Sequence, residues 1–320
     1  MPFYAPFGRT KLSDQMFKAP LSFAGFPVSQ DFADADIAVL GLPYDCGQHN
    51  NRIGARAGPS WIRQHSNLVE EACEDIAPPL MEGIHVIDAG DLNLTSVEYE
   101  DIEAFFNLAE RAMDAIFKGG CSPVTMGGDG AVSLPQIRAA SKHYPGLTVL
   151  HFDAHTDAYD VHGNNHFDNS NTFTHAATEG LINVGASAHV GLRGILNVKN
   201  ARAKAEQIGY RIIDVDQLLE ASLDKCASMI REPLESLPIY LCFDLDFFDP
   251  AYAPGVCTPT PGGVSSHFGL SLLRRLSSLN IVACDINTMS PPHDPDGSTA
   301  NLASFVMMEC ISLLKTARFN

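Results

Sequence analysis

A chain of 320 residues, 45% of them hydrophobic, can bury a large core, and α/β folds reach this length as one unit, so residues 1–320 are read as a single domain. Lysine and arginine total 21 against 38 aspartates and glutamates, a formal charge of −17, and such a surface repels phosphate backbones and acidic lipid. Nucleic acid and membrane are therefore not expected as partners, whereas a small cation would be attracted; acidity that merely keeps a cytosolic protein dissolved explains the charge equally well.

Short apolar runs suited to buried parallel strands occur at 37–43, 84–89, 123–126, 147–152, 182–185, 211–215, 239–245 and 281–286. Helical patterns lie between several of them. The segment 101–117 places Phe105, Leu108, Ala112, Ala115 and Ile116 near one face and stops at Gly119 and Gly120, and 131–143, 223–234, 266–276 and 300–315 follow the same logic. Strand and helix in alternation predict a three-layer α/β fold: a mostly parallel eight-stranded sheet with helices on both faces. Residues 1–32, 157–174 and 249–263 are less regular.

Eight cysteines are scattered without a C-x-x-C pair and read as buried free thiols. Residues 1–10 carry aromatics and prolines but no basic stretch leading into a long apolar one, and no segment approaches membrane-spanning length. The expected compartment is reducing cytoplasm.

The chemistry concentrates where strands end, the place at which open parallel sheets bind ligands. After the run 147–152 comes Asp153, Ala154, His155, Thr156, Asp157, in which alternate side chains can point the same way. Asp244, Leu245, Asp246 ends the run 239–245 with the same spacing. One Asp-x-Asp is usually a solvated loop or cap. Two such motifs after neighbouring apolar strands argue for cations, because clustered carboxylates without one are costly. Five oxygen and nitrogen donors suit a pair of ions such as manganese, with nickel or cobalt as alternatives.

These motifs, together with Asn51 through Pro59, Gly127-Gly128-Asp129, Phe243 through Pro250 and the stretch from Ala253 to Gly263, resemble the ureohydrolase family, and its agmatinase branch most closely in pattern. The resemblance spans most of the chain. It implies an arginase-like fold and hydrolysis of a guanidino or biguanide C–N bond, with release of urea or an analogous product. It further implies that Asp153, Asp157 and Asp244 face a first metal, and Asp153, His155, Asp244 and Asp246 a second.

Three positions depart from the family pattern. Gly130 stands where a histidine would ligate the first metal, and glycine brings no side-chain donor, so weak or absent occupancy is expected there unless another donor substitutes. The expectation is thus manganese or nickel at one complete site. His151 is nearby, but family members carry an aromatic or histidine there beside their usual ligand. Asn169 replaces a histidine thought to relay a proton, and an amide does not titrate near neutral pH. His162, His166 and His175 are close in sequence, though nothing singles one out. Thr288 replaces a glutamate that would pair with the guanidinium.

Other residues read as structural. Asp249-Pro250 and Pro254-Gly255 suit turns, with glycine permitting left-handed backbone. Arg52 and Arg56 can reach a substrate, a neighbouring subunit or a local carboxylate, and Trp61 suits core or interface. The three losses all fall on catalytic positions. They point to a weakly catalytic or non-catalytic subunit of a paired-subunit hetero-oligomer; the family resemblance implies a trimer or hexamer formed with a ureohydrolase-like partner or with itself. The alternatives are an autonomous agmatinase-like amidinohydrolase with an altered metal site and an unusual cationic guanidino substrate, or a metal-dependent ligand sensor without turnover.

Overall fold

A computed structural model describes residues 21–46, 52–69, 81–161, 166–194, 200–234 and 236–319. In chain order the elements are β1 (Ile37–Gly41), α1 (Gly58–His65), β2 (Val86–Asp91), α2 (Ser96–Glu100), α3 (Ile102–Lys118), β3 (Ser122–Met126), α4 (Ser133–His143), β4 (Thr148–Phe152) and α5 (Thr172–Thr178). They continue with β5 (Ala188–Leu192), α6 (Ala201–Ile208), β6 (Arg211–Asp214), α7 (Val215–Glu220), α8 (Leu223–Arg231), β7 (Ile239–Asp244), α9 (Ser266–Arg274), β8 (Ile281–Asn287) and α10 (Ser298–Phe319). The eight strands form one sheet in the order β2-β1-β3-β8-β7-β4-β5-β6, with every pairing parallel.

Alternation along the strands feeds two cores. Val39, Leu150, Phe152, Leu241, Phe243 and Ile286 pack with Ile62 of α1, Ile230 of α8, Leu272 of α9 and Val306 of α10. Ala38, Val149, Tyr240, Cys242 and Ala283 face the other way, onto Phe105 of α3, Leu134 of α4 and Phe173 of α5. Both faces of the sheet are covered, which is why its strands read as unbroken apolar runs. No described helix is long and apolar enough to cross a membrane.

Two local expectations need correction. The run 182–185 is a turn, held by Asn183 N–H on the Leu147 carbonyl at 2.7 Å and Ser187 N–H on Val184 at 3.0 Å, and the strand follows at β5. His189 and Gly191 interrupt the apolar pattern of β5 and hid it. Gly191 is needed there because a Cβ would lie 2.5 Å from the Phe247 ring, and its φ is +109°. In α3 the buried stripe is Phe105, Phe106, Ala109, Met113, Ile116 and Phe117, whereas Ala115 is exposed, because the larger side chains claim the core. Among the cysteines, six are buried free thiols and Cys46 is half-buried; Cys73 lies outside the described residues, as do 1–20.

The N-terminal side of the sheet is fastened by one buried ion pair. Arg63 on α1 grips Asp88 of β2 through two bonds of 2.8 and 2.9 Å and also contacts Asp91, while Asp88 accepts the Phe23 N–H at 2.7 Å. Asp88 is 1% exposed. Arg63→Ala strands that carboxylate in the core and is expected to cost about 3–5 kcal/mol. Equilibrium urea unfolding checks this as a lowered midpoint with an unchanged slope.

Candidate metal centre

β4 and β7 are neighbours, and their register pairs Phe152 with Phe243. The next residue on each strand is an aspartate, so Asp153 and Asp244 leave the carboxyl edge side by side, 2% and 1% exposed. The chain then turns sharply at both places. Leu245–Phe247 forms a 3-10 turn that brings Asp246 back, where its Oδ1 accepts the Ala154 N–H at 3.2 Å. His155 N–H bonds Asp153 Oδ1 at 2.7 Å, and the His155 Nδ1 lies 3.0 Å from that oxygen and 3.4 Å from Asp246 Oδ2. Asp157 adopts left-handed backbone, φ +44°, with its carbonyl fixed by the Phe173 N–H. This reversal returns its carboxylate to the cluster: donor atoms of His151, Asp153 and Asp157 lie within 4.8 Å of one another, as do those of Asp153, His155 and Asp246. The five donors named from sequence thus converge on one strand-end cluster.

Burial sets the electrostatics. It pushes the Asp244 and Asp157 carboxyls well above the usual range, with Asp153 adding its charge to both, and it raises Asp246 to about 6, again helped by Asp153. Burial acts on Asp153 too, but His155 and His151 outweigh it and hold this carboxyl well below its ordinary value. For His155, burial favours the neutral ring, yet Asp246 and Asp153 lift it well above the ordinary histidine range. Protons on these groups neutralise a cluster that cations would otherwise neutralise. The Asp244 Oδ1 is buried without a hydrogen-bond partner among the described residues. An orphaned carboxylate oxygen among three further carboxylates and two imidazoles fits a divalent manganese, cobalt or nickel ion.

The departing positions surround this cluster without completing it. A Cβ on Gly130 would sit 3.1 Å from Asp157 Oδ2 and 3.3 Å from the Asn169 carbonyl, so residue 130 points at Asp157 and offers it nothing. Asn169 Oδ1 lies 3.8 Å from the Cys46 thiol. Asp129, raised to about 6 by burial, fastens this corner by accepting the Cys46 N–H and the thiol at 2.8 and 2.9 Å. Thr288 has φ +67°; its hydroxyl accepts the Leu245 N–H at 3.1 Å and donates to the Asn287 carbonyl at 2.7 Å. It braces the end of β7.

Among the loop histidines, His175 sits on α5 and its Nε2 bonds the His166 carbonyl at 2.8 Å, while His162 lies outside the described residues. Arg52 donates to the carbonyls of Val256 and Pro254, and Arg56 pairs with Asp45 at 3.1 Å. Trp61 is half-buried and donates to Asp294. Asp249 accepts three backbone N–H groups in its turn. Gly255 is demanded by close approach to Asp294, with a Cβ contact of 2.4 Å, and not by left-handed backbone.

Of three buried groups beneath the cluster, sequence reasoning set His151 aside and gave His189 and Cys242 no place at the site. His151 Nε2 lies 2.9 Å from Asp244 Oδ2 and 3.1 Å from Asp153 Oδ2, and its Nδ1 is 2.8 Å from the Nδ1 of His189. Cys242, with donor atoms of His151 and Asp244 within 4.8 Å, is the third. Strand alternation carries the signal: 151 and 153, like 242 and 244, share a face.

An acidic, histidine-containing cluster at the carboxyl edge of a parallel sheet defines an α/β protein with a candidate divalent-cation centre. The chain belongs to the arginase family, whose profile matches residues 35–312. It is 34% identical over 297 residues to an agmatinase of Proteus mirabilis, covering 91% of this chain and 92% of that protein. It is 33% identical over 300 residues to a guanidinopropionase of Pseudomonas aeruginosa, covering 92% and 91%. The solved proclavaminate amidinohydrolase of Streptomyces clavuligerus superposes with a TM-score of 0.88 at 31% identity, over 94% of this chain and 98% of that one.

Two outcomes are expected from titration calorimetry with manganese. Asp246→Ala and His155→Ala each lower the affinity roughly tenfold or more, since each removes a donor from the cluster. The affinity of the unaltered protein also falls between pH 7.5 and 5.5, because the Asp246 carboxyl, raised to about 6, takes up a proton over that interval and the ion must displace it.

Proposed function

We propose that this chain is a weakly catalytic or non-catalytic subunit of a metal-dependent ureohydrolase that cleaves a guanidino or biguanide C–N bond, in a hetero-oligomer of the kind represented by metformin hydrolase. In this reading Asp153, His155, Asp244 and Asp246 hold one divalent ion, manganese or nickel, and Asp153, Asp157 and Asp244 contribute to a second. A bound ion supplies Lewis acidity at the centre. The net charge of −17 attracts a cationic substrate, and burial of the cluster keeps the dielectric low around it.

The reading rests chiefly on Thr288. Its hydroxyl donates to Asn287 and accepts from Leu245, so the position that the family resemblance assigns to a guanidinium-binding carboxylate carries no charge, only a neutral hydroxyl already held in the fold. Asn169, likewise, has no proton to exchange near neutral pH. The sheet, the strand-end turns and the carboxylates are intact. A partner in a trimer or hexamer, with its own complete centre, then does the chemistry.

A second reading, an autonomous agmatinase-like amidinohydrolase with an unusual substrate, is favoured by the complete set Asp153, His155, Asp244 and Asp246. Urea release separates the two. The purified chain, loaded with manganese or nickel and given agmatine, arginine or a biguanide, is expected to turn over at least ~100-fold more slowly than its complex with a co-encoded ureohydrolase-like partner, the usual scale of a lost acid–base group. Equal rates with and without the partner would overturn the subunit reading in favour of the autonomous enzyme.

A further inference from the structure

We propose that His151 supplies the nitrogen ligand of the first metal in this chain, in the place that Gly130 leaves vacant. The inference rests on the metal-centre reading above and adds a donor to it. His151 is fully buried on β4 and aims Nε2 at two carboxylate oxygens at once, Asp244 Oδ2 at 2.9 Å and Asp153 Oδ2 at 3.1 Å. A single N–H directed at both makes two bent bonds. A cation satisfies all three atoms together, since donor atoms about 3 Å apart are adjacent corners of an octahedron with bonds of about 2.1 Å. Asp157 is within 4.8 Å of His151 and Asp153, and Asp244 Oδ1 has no hydrogen-bond partner among the described residues.

The far side of the ring agrees. A ligating imidazole ordinarily gives its other N–H to a neighbour that fixes the ring. His151 Nδ1 lies 2.8 Å from the His189 Nδ1, so with Nε2 on the ion Nδ1–H donates to His189, whose proton then sits on Nε2, a buried atom without a hydrogen-bond partner among the described residues. Phe173, its ring 4.3 Å from that of His151, closes the space beside it. Residue 130, by contrast, approaches from the Asp157 side, where a Cβ already meets Asp157 at 3.1 Å. The ligand changes direction, from the loop to the sheet, and the set becomes His151, Asp153, Asp157 and Asp244. Its composition of one imidazole and three carboxylates equals that implied for the family. Loss of the residue-130 ligand therefore does not empty the first site, and Asn169 and Thr288 alone account for slow turnover.

The test counts ions in purified full-length protein equilibrated with manganese, by plasma mass spectrometry, with circular dichroism as the folding check. The unaltered chain is expected to retain two ions, His151→Phe one, and the double variant His151→Phe/Gly130→His two again. Two ions in His151→Phe, or one in both it and the unaltered chain, would overturn the ligand assignment while leaving the metal centre standing. No manganese in the unaltered chain would overturn both readings. Should His151→Phe fail to fold, anomalous diffraction from manganese-soaked crystals of the unaltered protein decides: an ion about 2.1 Å from His151 Nε2 is expected, and the nearest ion lying beyond about 3 Å contradicts the proposal.

Discussion

Mutual repulsion between Asp153 and Asp244 is the constraint around which this protein is built. The register of β4 and β7 forces the two side chains together at a buried edge, and a slip of one residue would exchange the side chains packed into the two cores. Two unpaired carboxylates so placed would each cost several kcal/mol. The neighbourhood answers with His155 on one side and His151 on the other, and it leaves one Asp244 oxygen unsatisfied. The turns that follow both strands, the left-handed Asp157 and the Thr288 brace all serve to hold this arrangement. A fold that tolerates such concentrated charge does so for a ligand of opposite sign.

The same constraint shapes the surroundings of Thr288, Gly130 and Asp129. Thr288 keeps the turn after β7 in place by bonding the Leu245 N–H, a role independent of any substrate. Gly130 lies against Asp157 and Asn169, where a Cβ would meet Asp157 Oδ2 at 3.1 Å and the Asn169 carbonyl at 3.3 Å. Asp129 caps the turn beside it and fixes the Cys46 loop. Gly130, Asn169 and Thr288 lie around the centre without loosening the strand ends.

Much of this was legible in the sequence, for physical reasons. Seven of the eight apolar runs contain strands because both faces of the sheet are covered, and Asp153, His155, Asp157, Asp244 and Asp246 stood out because charged residues directly after buried strands are expensive. The strand β5 was not legible: His189 and Gly191 carry its two special contacts, to His151 and to Phe247, and both break the apolar pattern. His151 was set aside because family members carry an aromatic or histidine at that strand position beside their usual ligand, and its contact with Asp244 comes from the neighbouring strand. Likewise, no sequence pattern tells that the Thr288 hydroxyl is already engaged. Contacts between distant segments decide such roles.

Thermal unfolding of the full-length chain at pH 7.5, with chelator and then with manganese or nickel in excess, tests the central claim that the buried carboxylates form a cation site. Ions at a hundred times their dissociation constant add about 2.7 kcal/mol to the folded state. The account predicts a melting temperature higher by several degrees with either ion, and that gain should be lost in Asp153→Asn. A melting temperature that neither ion moves would contradict it.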